Sequence, residues 1–367
     1  MFASAFNKMT KLKLLDLFCG CGGISLGFEL AGFDVGYGID INTDAVATFA
    51  LNFPKSKGIS ANLSEIDTGG LKSIFSSDKI DVIVGGPPCQ GFSSANRWTN
   101  EKADPRNKLF FEYLRFVEYL KPKVVVIENV RGILTKDNGF AKNRIFNLLE
   151  DLGYVVNCSI LNAADYGVPQ SRTRAFFVAF RKTSKTQTFD FNNLTKQNKV
   201  TVDDAIGELY ALEKSSGSVH KFTKKPDSKY RQYLRSSDWI VNNHNIVYPA
   251  KLTQERISHV PQGGNWSDIP AKLFGNERNN RHSSAFKRLD PKDQSVTIDT
   301  GNAHSNYFHP IYNRIPTPRE AARIQSFPDS FIFKGTRTSQ YRQIGNAVPP
   351  LLARAVALGI KNHFFEA

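Results

Sequence analysis

Between Leu12 and Asp40 the chain passes through an apolar stretch (LKLLDLF), a glycine-rich turn (CGCGG), a helical pattern (ISLGFELAGF) and a second apolar stretch (DVGYGID). Short apolar runs bounded by turn residues suit strands buried on both faces, and a strand, turn, helix, strand sequence of about thirty residues is the βαβ crossover. Further apolar runs follow at 81–84, 123–128, 154–161 and 174–180, with the helical pattern LFFEYLRFVEYL between the first two. Parallel strands need such crossovers, and the crossing helices cover both faces. The alternation therefore predicts an α/β fold built on a mostly parallel sheet.

After Phe180 the texture changes to Lys, Thr, Asn, Ser and Asp with scattered aromatics, turn signals such as PQGGN and NERNN, and one helical pattern at 202–214. This reads as a smaller, loop-rich second domain with a core supplied by Trp239, Trp266, Phe274 and Phe286. A helical pattern returns at 319–325, and GNAVPP leads into a closing helix whose start Pro349 and Pro350 mark. Three segments are expected: 10–182, 183–305 and 306–367.

Charge is distributed unevenly. The 367 residues carry 48 Lys and Arg against 34 Asp and Glu, a net charge of +14. Residues 1–180 hold 20 basic and 18 acidic side chains, residues 181–300 hold 20 and 13, and residues 301–367 hold 8 and 3. A basic surplus in the second half favours a polyanionic partner there. No window approaches the roughly 18 to 20 apolar residues of a membrane helix, and MFASAFNKMTK has no signal-peptide core. With Cys19, Cys21, Cys89 and Cys158 all in the first half, the expectation is a soluble, cytoplasmic protein whose thiols stay reduced. No metal-ligand spacing is present.

Several motifs carry chemistry. In DLFCGCGG the glycines stand where a chain bends sharply and a ligand approaches the backbone, and Asp40 ends the second strand where an acid can hydrogen-bond a ribose diol. The spacing is not GxGxxG, so a nucleoside cofactor other than a dinucleotide is favoured; a turn that binds nothing would look alike. In GGPPCQGFS, residues 85–93, two prolines stiffen the backbone before Cys89 and present one thiol at the sheet's edge, although any single cysteine can be structural. VVVIENV puts Glu128 at a strand end, where partial desolvation lets a carboxyl hold a proton near neutrality. QSRTR sets Arg172 and Arg174 two residues apart entering a strand, hence on one face, suited to an anion or a carbonyl oxygen.

In order along the chain, DLFCGCGG, GGPPCQGFS, ENV, QSRTR, RIPTPREAARIQSFPD and QIGNAVPP resemble the blocks of the DNA (cytosine-5)-methyltransferase family, of the bacterial or phage modification type. The resemblance implies an S-adenosylmethionine-dependent, Rossmann-like catalytic domain completed by the C-terminal segment, a smaller target-recognition domain, and methyl transfer to cytosine carbon 5 in double-stranded DNA. It makes Cys89 the nucleophile toward carbon 6 and Glu128 the group acting at ring nitrogen 3. Asn129 would help to hold Glu128, while Arg174 with Arg172 binds the ring oxygen. The target base would have to be flipped out. The stretch 91–107, with Arg97, Trp98 and Arg106, resembles a mobile loop over the DNA. The cofactor, leaving as S-adenosylhomocysteine, would be held by Asp16, Phe18, Gly20, Cys21, Gly23, Asp40, Ile41, Asn62, Pro88, Leu109, Asn346 and Ala347. Asn62 stands where an acid is common. In the recognition region PQGGNW, the stretch ending at His282, and Thr297 with Ile298 look like contact segments. Arg319 reads as a structural link lying near phosphate. A monomer, with a cognate restriction endonuclease as an open companion, completes the expectation.

Three rivals are weighed. A cytidine deaminase needs HxE and PCxxC, and Cys89 has no second cysteine three residues on. An RNA (tRNA) cytosine-5 methyltransferase on the same fold would carry a Cys-Phe-Thr signature in the recognition region, whereas no cysteine follows Cys158. A catalytically dead DNA-binding regulator would have lost some of the blocks.

Overall fold

The computed structural model describes residues 11–76, 78–88, 108–183, 186–215, 217–274, 286–300 and 307–365. Seven strands, β1 (Lys13–Leu17), β2 (Asp34–Asp40), β3 (Lys57–Ser60), β4 (Val82–Gly85), β5 (Val124–Val130), β6 (Tyr154–Asn162) and β7 (Thr173–Arg181), form one sheet in the order β3-β2-β1-β4-β5-β7-β6. Pairing is parallel from β3 to β5, and β7 runs antiparallel to both β5 and β6. The central strands β1, β4 and β5 are mostly apolar because both of their faces are covered. Leu14, Val82, Val84, Val124 and Val126 enter one core, while Leu15, Leu17, Ile83, Val125 and Ile127 enter the other. That division follows from side chains alternating along a strand.

The first core is closed by α1 (Gly23–Leu30), by Phe49 of α2 (Thr43–Asn52) and by the C-terminal helix α11 (Pro350–Phe365). The second is closed by α3 (Thr68–Phe75), α4 (Lys108–Leu120) and α5 (Phe140–Asp151). Gly27 permits the closeness of α1 and α11: a Cβ there would lie 2.6 Å from both Arg354 N and Pro350 O. The last helix thus packs beside the first, across nearly the whole length of the chain.

Between β7 and α11 the elements are short: α6 (Val202–Ile206), α7 (Lys229–Leu234), α8 (Lys251–Ser258), α9 (Pro318–Ile324), α10 (Arg337–Asn346) and two-residue strand pairs at 220–221 with 240–241 and 287–288 with 307–308. The helix expected over 202–214 is α6 followed by a 3₁₀ stretch, Gly207–Leu212. Arg231 donates to the carbonyls of Asp203 and Asp204 from α7. A local cluster of Ile257, Val260, Ile269, Phe274 and Phe308 has Trp266 and Phe286 packed on its rim, whereas Trp239 joins the larger core. Of the aromatics expected to form this core, only Phe274 is in its interior.

Three arginines around α9 are fully buried. Arg314 pairs with Glu320 at 2.7 Å and Glu213 at 2.6 Å, and Arg323 pairs with Asp329 at 2.6 Å and Glu208 at 2.7 Å. Arg319 is placed otherwise than expected at phosphate: its guanidinium donates to the carbonyls of Asn242, Pro328 and Phe331 and has no exposed surface. It links segments and faces no solvent.

Burial pushes the Glu320 carboxyl up, but Arg314 and His309 outweigh burial and hold it well below the usual range. A carboxyl with a lowered folded-state pKa stabilises the protein above its unfolded value, about 4.3 for Glu, and that stabilisation is lost as pH falls through the folded value. Glu320→Ala should therefore destabilise the chain by about 3–5 kcal/mol at neutral pH, since it takes the fully buried one of two carboxylates from the buried Arg314 guanidinium. Urea denaturation should show the difference from the parent shrinking below pH 4; a pH-independent difference would contradict the ion-pair account.

Candidate active site

Beyond the carboxyl ends of β1 and β2 lies a cavity of about 390 Å³. Phe18, Gly20, Cys21, Gly23, Asp40, Pro88, Asn346 and Ala347 line it, as the sequence led us to expect. Phe18 directly follows β1 at φ 60°, a left-handed conformation that an aromatic residue rarely adopts. Asp40 accepts hydrogen bonds from the backbone N–H of Gly20 and Asn42, both at 2.8 Å. Those two donors use one lone pair on each oxygen, leaving the others free to accept from a ligand.

Four residues expected here are not in the lining. Asp16 sits behind it, 1% exposed, with Ser25 Oγ donating to its Oδ2 at 2.6 Å and no partner for its Oδ1 among the described residues. Burial, offset in part by Ser25 and reinforced by Asp40, pushes its pKa up to about 7. Asn62 caps a 3₁₀ turn, its oxygen accepting from Ser64 N and its amide donating to Glu65. Ile41 is 71% exposed beside the cavity, and Leu109 lies in the first turn of α4. Sequence reasoning missed Asn42, Gly86, Arg342 and Gln343 in the lining. Asn42 was findable as a helix cap two residues after Asp40: it receives the N–H of Ala45.

A second cleft, of about 310 Å³, adjoins the first and is lined by Glu128, Asn129, Arg172, Arg174 and Thr297, together with Asp299 and Thr300, which were not anticipated. Arg174 Nε lies 3.0 Å from Glu128 Oε1, and both side chains are mostly buried. Burial pushes the Glu128 pKa up; Arg174 and Arg172 oppose this without cancelling it. Asn129 donates from Nδ2 to the carbonyl of Pro87 at 3.0 Å, tying the end of β5 to the segment that follows β4. Arg172 shares the face of Arg174 but lies deeper, donating to the carbonyls of Ile298 and Gly345 at 2.9 Å each. Thr297 donates to Ser171 O at 2.9 Å. Cys89, Arg97, Trp98, Arg106 and His282 lie outside the described residues.

A family model described as C-5 cytosine-specific DNA methylase matches residues 12–362. The chain belongs to that family. This methylase is 38% identical to the type II methyltransferase M.DdeI of Desulfomicrobium norvegicum, over 96% of the chain and 89% of the relative. It is also 38% identical to M1.HphI of Haemophilus parahaemolyticus, over 94% and 86%. Among solved structures, a prophage-encoded DNA modification methyltransferase from E. coli superposes with a TM-score of 0.79 at 30% identity, covering 97% of this chain and 100% of that one. The S. pombe Dnmt2 methyltransferase, at 19% identity and a TM-score of 0.60, shares the fold. The methylase thus transfers methyl groups to carbon 5 of cytosine in DNA, the RNA alternative gives way, and membership implies S-adenosylmethionine as donor. Among the described residues no helix is long and apolar enough to cross a membrane.

Removing the Arg174 charge should raise the Glu128 pKa further, because Arg174 favours the ionised form. A carboxyl-carbon NMR titration of Arg174→Met against the parent reads this directly. An unmoved or lowered Glu128 pKa would show that the ion pair does not govern it.

Proposed function

We propose that the two cavities divide the reaction: the first holds S-adenosylmethionine and the second receives a cytosine swung out of the duplex. The observation that carries this reading is their common wall, since Gly86, Pro88, Glu128 and Asn346 line both. The first cavity fits the donor's chemistry, with an aromatic ring at Phe18, an open backbone turn at 20–23 and the half-used Asp40 carboxylate for a ribose diol. When bound, the donor supplies an electrophilic methyl group on a sulfonium.

Carbon 5 of cytosine is too weak a nucleophile to take that methyl unaided. The thiolate of Cys89, which follows Pro88 directly in sequence, forms a bond to carbon 6 and drives the electron pair toward nitrogen 3. Glu128, whose raised pKa keeps it protonated to higher pH than an ordinary glutamate, delivers its proton to nitrogen 3, leaving carbon 5 enamine-like. Arg174 holds the ring oxygen and adds positive potential. After carbon 5 has taken the methyl it loses its proton to water, the Cys89 sulfur leaves with the electrons of its bond, and Glu128 recovers the proton from nitrogen 3. Asn129 keeps the segment that follows β4 and Glu128 in register.

Residues 10–182 and 306–367 act as the catalytic domain and 183–305 as the target-recognition domain, whose basic surplus grips phosphate, with Arg97, Arg106 and Thr297 at the DNA. We read the enzyme as cytoplasmic and monomeric, and the type II names of its relatives support a modification enzyme working beside a cognate endonuclease.

Cys89→Ser should abolish turnover and covalent trapping on 5-fluorocytosine DNA while S-adenosylhomocysteine affinity stays within about threefold. A denaturant-stable adduct persisting in the variant removes Cys89 from its role. Asp40→Ala should weaken S-adenosylhomocysteine binding by about tenfold or more, consistent with losing charge-assisted hydrogen bonds. Unchanged calorimetric affinity in that variant would displace the donor from this cavity.

A further inference from the structure

Gln170 and Gln325 are both fully buried and meet side chain to side chain, with Gln170 Nε2 donating to Gln325 Oε1. Their amide orientations follow from what surrounds them. Gln170 Oε1 accepts the backbone N–H of Ile298 at 2.9 Å, so its nitrogen must face its partner. Gln325 Nε2 faces two carbonyls, Ile344 O at 2.9 Å and Ala347 O at 2.8 Å, so its oxygen must accept. The result is one polar chain running from Ile298 N–H through two side-chain amides to Ala347 O.

Its two ends lie in the walls of different cavities. Ile298 sits between Thr297 and Asp299, which line the cleft with Glu128 and Arg174, while Ala347 lines the cavity with Phe18 and Asp40. Neither glutamine lines either one. Arg172 doubles the connection, gripping Ile298 O and Gly345 O.

We propose that Gln170 and Gln325 are positioning residues: an amide clasp that transmits occupancy of the methyl-donor cavity to the 297–299 segment facing the target base. This rests on the assignment of the two cavities made above. A displacement of Ala347 either carries Gln325, Gln170 and Ile298 with it or breaks a buried hydrogen bond that no water can replace. The clasp therefore passes small movements on, and the coupling it carries is reciprocal.

The test uses the full-length, unmutated enzyme with S-adenosylhomocysteine as probe. Amide hydrogen exchange at Ile298 should slow by about fivefold or more when the probe binds, although Ile298 lies outside the donor cavity. If the probe binds and Ile298 exchanges as before, the clasp is overturned while the cavity assignment stands. If the probe does not bind at all, the cavity assignment falls and the clasp with it. As a second measurement, Gln325→Met keeps the side chain's length and deletes both the donor and the acceptor of its amide. On unmethylated genomic DNA its kcat should drop by about tenfold or more with the KM for S-adenosylmethionine within about threefold. Asn157→Ala removes a partly buried amide that lines neither cavity and bonds Phe189 O, and should leave kcat unchanged. Parent-like kcat in a folded Gln325→Met enzyme overturns the proposal; should that variant fail to fold, the exchange measurement decides.

Discussion

The register of β1, β4 and β5 is the constraint on which both cavities depend. Leu17 pairs with Gly85 and Gly85 with Ile127, so the next residues, Phe18, Gly86 and Glu128, come abreast at the sheet's carboxyl edge, about 4.8 Å from strand to strand. Gly85 allows this spacing, because a Cβ there would run into the Leu17 carbonyl and come within 3.0 Å of the Tyr113 ring. Tyr113 in turn donates from its hydroxyl to Val126 O at 3.1 Å. A slip of one residue would turn Glu128 to the opposite face and strand its carboxyl away from Arg174. The reversed direction of β7 completes the arrangement. Only an antiparallel strand starts at the edge where β5 ends, and its first residues pair Arg174 with Val130, diagonal to Glu128.

The charges around α9 balance. Arg314, Arg319, Arg323 and Arg235 are set against Glu213, Glu320, Glu208 and Asp329, four cations to four carboxylates. This cluster therefore adds nothing to the net charge of +14, which comes from other residues. Arg319 illustrates the distinction: its residue type suits DNA, yet it satisfies three carbonyls of neighbouring segments. A basic residue inside an apolar helix pattern, as in PREAARI, is better read as an internal tie than as a surface contact.

Legibility in the sequence followed burial. Apolar runs marked β1, β2, β4, β5, β7 and even the partly exposed edge strand β6, whose Tyr154, Val155 and Val156 open it, whereas β3, a half-exposed KGIS at the opposite edge, has no such signature. The premature end of α6 depends on Arg231, 27 residues away from Asp204, and no local pattern encodes that. The cavity around the glycine turn was legible because its chemistry is concentrated in one block. Gln343 and Arg342 were not, because they reach it only after α10 folds back from the far end of the chain. Asp16 and Asn62 show the limit of residue type as a guide: both are polar and near the cavity, but one is turned to Ser25 and the other caps a turn.

Arg172 and Arg174 share a face by the two-residue period, yet depth separates their chemistry. Burial, and then the like charge of Arg174, lowers the Arg172 pKa to about 9, with Glu128 and Asp299 opposing. Its terminal nitrogens are committed to Ile298 O and Gly345 O, and its Nε has no partner among the described residues. Such a group acts on the cleft through its field. It lowers the Glu128 pKa from a distance, while Arg174 does so by direct contact. Burial and paired cations thus set Glu128 from opposite sides: burial favours the neutral acid, the cations favour the carboxylate, and burial is the larger effect. In the reaction proposed above that balance matters, because a ring that must first accept and later return a proton asks the same group to give one and to take it back.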